Sequence, residues 1–179
     1  IPKDIQFQTG TYIGPDTVKH KSYRPKLKAN IDKIDDALQL IVNAEKPIFY
    51  TGGGVINSGN AAVQLLREFV RLTGFPITST LQGLGAFPGD DSQFVGMLGM
   101  HGTYEANMAM NKCDLMINVG ARFDDRITGK IDEFSPNSKK IHIDIDPSSI
   151  NKVISVDVGL NGDVAHVLED AIKLWKSKV

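Results

Sequence analysis

Apolar and polar positions fall into regular rhythms only from residue 30 onward. Asn30 can cap a helix running to about Ala44, with Ile31, Ile34, Leu38 and Ile41 recurring at helical spacing on one face. Pro47–Tyr50 is a short apolar run that reads as a buried strand, and the TGGG after it is its turn. Asn60 to about Thr73 repeats the helical rhythm with Ala61, Leu65, Phe69 and Leu72 inward, and Gly74 is placed to stop it. Phe75–Thr80 predicts the next strand, Gly83 to Gly102 a glycine-rich loop, and Thr103–Asn111 a helix that Thr103 can cap. Leu115–Val119, Lys140–Asp144 and Val153–Val156 predict further strands. A last helix, from near Asp163 to about Lys176, carries Val164, Val167, Leu168, Ile172 and Trp175 on its apolar side. Strands alternating with helices imply right-handed crossovers. The predicted fold is therefore α/β and doubly wound, a mostly parallel six-stranded sheet with helices on both faces.

Residues 1–29 do not share this pattern. Pro2, Gly10, Gly14, Pro15 and Pro25 are scattered among Lys19, His20, Lys21, Arg24, Lys26 and Lys28, which reads as a linker or extended arm. The 179 residues suffice for one domain with a real core, and 41% apolar and 23% charged content is ordinary for a soluble globular protein. A net charge of −1 makes no electrostatic case for a nucleic-acid or membrane partner. The single cysteine, Cys113, excludes an internal disulfide framework and fits a reducing compartment. No apolar stretch approaches the roughly 20 residues that span a bilayer. The start, IPKDIQFQTG, has no signal-peptide core and no initiator Met, so a fragment is expected, from a bacterial cytoplasmic parent ahead of an organellar one.

Candidate chemistry concentrates in Asp114–Lys130, DLMINVGARFDDRITGK. Its apolar run ends in Gly120, and Arg122, Asp124, Asp125 and Arg126 follow at once. Ligands of open parallel sheets bind just past the strands' carboxyl ends. Guanidinium forks suit phosphate there, and carboxylates can accept from ribose hydroxyls or orient the arginines; the competing reading is a solvated salt-bridge cluster. Gly52, Gly53 and Gly54 sit between a strand and a helix, where bare amides suit a phosphate or pyrophosphate; the alternative is a tight turn needing positive φ. The dinucleotide fingerprint is not met, because Asn57 stands where its last glycine belongs and no acidic residue follows at ribose distance. In Leu98–Gly102, glycines let Met100 and His101 lie against a flat ring, although His101 alone reads as a surface residue. Asp144 and Asp146, at a strand end, are candidates for ribose hydroxyls, and Asp163 reads first as a helix cap. His20, His142 and His166 have no visible partners. There is no zinc spacing, P-loop or nucleophile elbow.

Taken together, YTGGGVINSG, TSTLQGLGAFPGDD, MLGMHGTYEANMAM, NVGARFDDRITGK, KIHIDIDPSSINK and NGDV resemble, in order and spacing, the middle domain of the acetohydroxyacid synthase (acetolactate synthase) family, large or catalytic subunit. The resemblance spans about residues 35–175, and RFDDR with LGMHG points to its biosynthetic, FAD-containing branch. It implies that 1–29 close the preceding domain and 30–179 form a central FAD-binding domain. The parent would join two pyruvates, or pyruvate and 2-oxobutyrate, with loss of carbon dioxide, on thiamine diphosphate and Mg²⁺. That reaction opens branched-chain amino-acid synthesis, and the FAD does no net redox work in it.

By matching position, Gly52, Gly53 and Gly54 would approach the phosphoribityl region, and Thr80, Leu81, Leu98, Gly99, Met100 and His101 would line the flavin side. Gly120, Arg122, Asp124, Arg126 and Ile127 would surround the ribityl and diphosphate, and Asp144, Ile145, Asp163 and Val164 would meet the adenosine end. Lys19, Lys21 and Arg24 are the candidates for the family's linker arginine, and Gln82 stands where many relatives carry Met.

The family's thiamine site draws on a glutamate of the first domain and a GDG motif of the third, and this chain has no GDG, so no catalytic residue and no metal ligand is assigned to it. The isolated chain is expected to be inactive. Its expected partners are FAD, the flanking thiamine-binding domains, further copies of the parent in a homodimer or larger homo-oligomer, and a regulatory small subunit. Met97, Met100, Met108 and Met110 are expected as an exposed apolar patch once those neighbours are absent. Two other readings stay open: a stand-alone NAD-using, sirtuin-like deacylase, against which a single cysteine already counts, and a non-catalytic interaction scaffold.

Overall fold

In a computed structural model, which describes residues 1–17 and 25–178, six strands form one sheet in the order β3-β2-β1-β4-β5-β6. They are β1 Pro47–Thr51, β2 Ile77–Ser79, β3 Phe94–Met97, β4 Leu115–Val119, β5 Lys139–Asp144 and β6 Val158–Asn161. Every neighbouring pair is parallel. The helices are α1 Lys3–Gln6, α2 Ile31–Val42, α3 Gly53–Ser58, α4 Asn60–Thr73, α5 Tyr104–Lys112, α6 Asp125–Thr128 and α7 Val164–Lys178. The order is the one typical of nucleotide-binding doubly wound sheets. The predicted α/β fold is therefore the observed one.

Burial on both faces explains why β1 and β4 are apolar without alternation, since every residue of both strands is buried. Phe49, Leu115, Ile117 and Val119 face one core, closed by α2, α4 and α7. Ile48, Tyr50 and Met116 face a second, smaller core with Leu98, Ala106, Met110 and Phe123. Phe69 of α4 ties the larger core together, its ring set edge-on to Phe49 at 5.5 Å and to Trp175 at 6.0 Å.

Helix limits follow the expected caps. The Asn30 side chain accepts from the Asp32 amide at 2.9 Å, the Thr103 hydroxyl from Ala106 at 3.2 Å, and Gly74 closes α4 at φ 75°. The helix faces are turned slightly from the expectation. Ile31 is half exposed and Ala37 takes its place inward. In α4 the buried stripe is Ala62, Leu66, Phe69 and Val70, while Ala61 and Leu72 are exposed. Two apolar stripes share Phe69, and docking on Phe49 selects between them.

Four local expectations are corrected. The TGGG segment is a turn only at Gly52, because α3 starts at Gly53. Strand β2 keeps only Ile77–Ser79 of the predicted Phe75–Thr80, since Pro76 has no amide to donate and Thr80 leaves the sheet to cap the next turn. The glycine-rich loop contains β3, whose pattern is interrupted by Gly96 at φ 97°. Val153–Val156 is not a strand: Ile154 is buried in the second core, and the Val156 amide donates to the Asn151 side chain at 2.8 Å. The sixth strand is Val158–Asn161, where Gly159 lets the chain pass Ile150.

Residues 1–13 are exposed throughout, and Lys19, His20, Lys21 and Arg24 lie outside the described residues. Among the described residues no helix is long and apolar enough to cross a membrane. Phe69→Ala should cost about 3–5 kcal/mol, read from the urea midpoint, because it removes the ring that joins α4, α7 and β1.

Candidate functional site

The chain reverses its direction of travel across the sheet between β1 and β4. Successive crossovers lead away from that point on both sides, so the loops after these two strands part and leave a crevice. A cavity of about 700 Å³ occupies it, within the roughly 300–1,000 Å³ usual for ligand sites. Its walls include Gly52, Gly53 and Gly54 after β1, Thr80 and Leu81 after β2, and Gly120, Arg122, Asp124, Arg126 and Ile127 after β4. Asp144 and Ile145 after β5, with Asp163 and Val164 at the start of α7, complete the predicted set that converges there.

The triple glycine has a packing cause. None of Gly52, Gly53 and Gly54 has positive φ, so the tight-turn reading does not apply. A Cβ on Gly54 would stand 2.7 Å from the Gly120 Cα, and one on Gly52 2.6 Å from the Ala121 Cα. The Gly52 and Gly54 amides donate to the Val119 and Gly120 carbonyls at 3.0 and 2.9 Å. The loops after β1 and β4 are thus joined backbone to backbone. Gly53 meets only Gln82, whose Cβ would stand 3.2 Å and carbonyl oxygen 3.6 Å from an added Cβ, a looser fit than at its neighbours.

Asn118 sets the course of the chain after β4. Its buried side chain donates to the Ala121 carbonyl at 2.7 Å and accepts from the Ala121 amide at 3.0 Å. Phe123, at φ 55°, turns its ring down between Tyr50 (5.8 Å) and the buried His142 (5.1 Å). Asp124 then caps α6 by accepting from the Arg126 amide at 3.2 Å, and its second oxygen pairs with Arg122. The amide bond from Arg126, a hydrogen bond involving Asp125, and then Arg122 hold the Asp124 carboxyl below its usual range. The Arg122 side chain is 77% exposed, so the pair contributes little to stability. Both arginines line the cavity that the glycines floor.

The segment Leu98–His101 is placed differently. Leu98 is buried and borders a separate hollow of about 220 Å³, and Met100 and His101 are exposed. None of the segment's residues is a wall of the main cavity, but the Met100 amide donates to the carbonyl of Arg126, which is one, at 2.9 Å. Asn107 grips Gly99 through both its amide (2.8 Å) and its carbonyl (3.1 Å). Of the expected methionine patch only Met100 is exposed, and Met110 is buried in the second core. Asp146 is engaged with the Ser148 amide at 2.9 Å and is not among the cavity walls.

Asp163 caps α7, as anticipated, and also lies on the cavity wall. One oxygen accepts from the Ala165 amide at 3.0 Å as a cap, and the other accepts the Ser58 hydroxyl at 2.8 Å on the cavity wall. Among the described residues no three His, Cys, Asp or Glu side chains converge as a metal site.

A family model for the central domain of thiamine pyrophosphate enzymes matches residues 34–171. The chain belongs to that family. The central domain is 44% identical over 180 residues to the acetolactate synthase large subunit of Buchnera aphidicola subsp. Schizaphis graminum, covering 99% of this chain and 31% of that protein. It is 44% identical to the Escherichia coli isozyme 3 large subunit over 97% of this chain and 30% of that one, and 45% identical to the Haemophilus influenzae large subunit over the same shares. The chain thus spans just under a third of the length of these relatives. Neither a deacylase nor a scaffold gains support from this membership.

The central domain also puts residues in the site that sequence pattern did not single out. Tyr50, Ile56, Ser58, Ala121 and Ser149 line the cavity, as do Asn57 and Gln82, noted above only as departures from a motif or from relatives. Tyr50 could have been found, because it alternates with Phe49 next to the end of β1. Ser58 could not, since its partner lies 105 residues away. Gly54→Ala should cost about 2–3 kcal/mol in urea denaturation by forcing the two loops apart, whereas Gly53→Ala should stay within about 1 kcal/mol.

Proposed function

We propose that this chain is the FAD-holding central domain of an acetolactate synthase large subunit. The observation that carries the proposal is the cavity at the β1–β4 divide, where a glycine floor, two exposed arginines (Arg122 paired with Asp124) and an acidic residue at the next strand end share one wall system. That donor set suits a dinucleotide with a doubly charged bridge: cations and bare amides for the diphosphate, carboxylates for hydroxyls. Arg122, Arg126 and Gly53 would take the diphosphate and ribityl region, and Asp144, Ile145, Asp163 and Val164 the adenosine end. Thr80, Leu81 and Gln82 would border the flavin, with Leu98, Gly99, Met100 and His101 behind it. Bound FAD supplies an isoalloxazine ring, and this chain's residues orient it and exclude water from it.

Thiamine diphosphate and Mg²⁺ would be held by the rest of the parent. Residues 1–29 would be the arm from its preceding domain and 30–179 the FAD domain. The parent would be a cytoplasmic homo-oligomer that forms 2-acetolactate from two pyruvates, or 2-aceto-2-hydroxybutyrate with 2-oxobutyrate, alongside a regulatory small subunit. The 42–45% identity to acetolactate synthases along nearly the whole chain supports this reading.

Flavin fluorescence tests it. The chain should quench added FAD at a stoichiometry of one, NAD should not compete, and Arg126→Ala should weaken binding roughly tenfold. Unquenched FAD at protein concentrations well above micromolar would remove the proposal. The same chain, given pyruvate, thiamine diphosphate, Mg²⁺ and FAD, should form no acetolactate.

A further inference from the structure

We propose that Arg122 and Tyr50 are alternative partners of the Asp124 carboxylate, exchanged when a diphosphate-bearing ligand enters the cavity and draws the guanidinium away. The ligand half rests on the FAD reading above; the competition between the two side chains does not.

Tyr50 is fully buried, and its hydroxyl has no hydrogen-bond partner among the described residues. A buried hydroxyl without an acceptor is a cost that native structures rarely carry without a reason. Tyr50 lines the same cavity as Asp124, and its ring packs at 5.8 Å on Phe123, the residue next to Asp124. Carboxylate and phenol are therefore carried on adjoining supports. The negative charge of Asp124 adds to burial in keeping the phenol protonated, which leaves it a donor.

The two oxygens of Asp124 are engaged separately. One oxygen stays fixed as the cap of α6, on the Arg126 amide at 3.2 Å. The other is taken by Arg122, the most solvent-exposed member of the group. An exposed pair of this kind is easily surrendered. A phosphate offers the guanidinium a doubly charged, bidentate partner, and Asp124 is then left with a free oxygen beside an unpartnered phenol. The exchange turns an orphan hydroxyl into a charge-assisted hydrogen bond at the moment of binding.

A double-mutant cycle on the ligand-free 179-residue chain tests the competition directly. Tyr50→Phe alone should leave the melting temperature unchanged or raise it, since it deletes a hydroxyl that has no acceptor. In an Arg122→Ala background, where Asp124 is already released, the same change should lower it by about 4 °C. A merely structural tyrosine would lose the same amount in both backgrounds, and that result overturns the proposal. With ligand, Tyr50→Phe should weaken FAD about tenfold and leave riboflavin, which has no phosphate, unaffected. Equal weakening of both would mean direct contact with the ligand and would also overturn it. If the unsubstituted chain takes up no FAD, the FAD reading fails, and the ligand-free cycle still decides the competition.

Discussion

The seam between β1 and β4 is the constraint from which the site follows. These strands are central, fully buried and adjacent, yet their crossovers leave in opposite directions. The chain must part above them and still seal the core below. It does so with main chain only: Gly52 and Gly54 meet Gly120 and Ala121 at distances where no side chain fits, and two amide-to-carbonyl bonds close the joint. A side chain at either position would push the loops apart and open the core. Glycine here serves close approach, with no positive φ on the β1 side of the joint.

Electrostatics is layered on that joint. The backbone turn at Ala121, held by Asn118, sends Arg122 outward and Phe123 inward, so alternate residues of one short loop supply a cation to the cavity and a lid to the second core. Asp124 then starts α6 and faces both. The charged residues are tied to the sheet through their buried neighbours. That is how exposed arginines can be positioned without being rigid themselves.

Pattern reached a good part of this and stopped where physics became nonlocal. Helices α2, α4, α5 and α7 and strands β1, β4 and β5 were legible because each carries its own periodicity and caps. Strand β3 and strand β6 were not, since both are half-buried, contain glycine and depend on a neighbour for their form. Val153–Val156 misled because β-branched residues pack in a core as readily as in a strand. The walls from 52–54 and 120–127 were legible because glycine and charge crowd there at strand ends. Leu98–His101 drew notice through its flanking glycines and then through family likeness, but its position, held by Asn107 and the Arg126 carbonyl, was not legible. Lys140 was invisible: its buried ammonium, depressed in pKa by burial, donates to the Ser135 and Ser138 carbonyls at 3.0 and 2.8 Å.

The Ser58–Asp163 bond has a consequence for synthesis of the chain. It joins the end of α3 to the start of α7 across 105 residues, and the cavity lies between them. During translation the glycine floor emerges early, but its opposite wall is still inside the ribosome until Val164 and the helix behind it have been made. A chain cut before α7 therefore has an open-sided groove where the complete chain has a walled cavity.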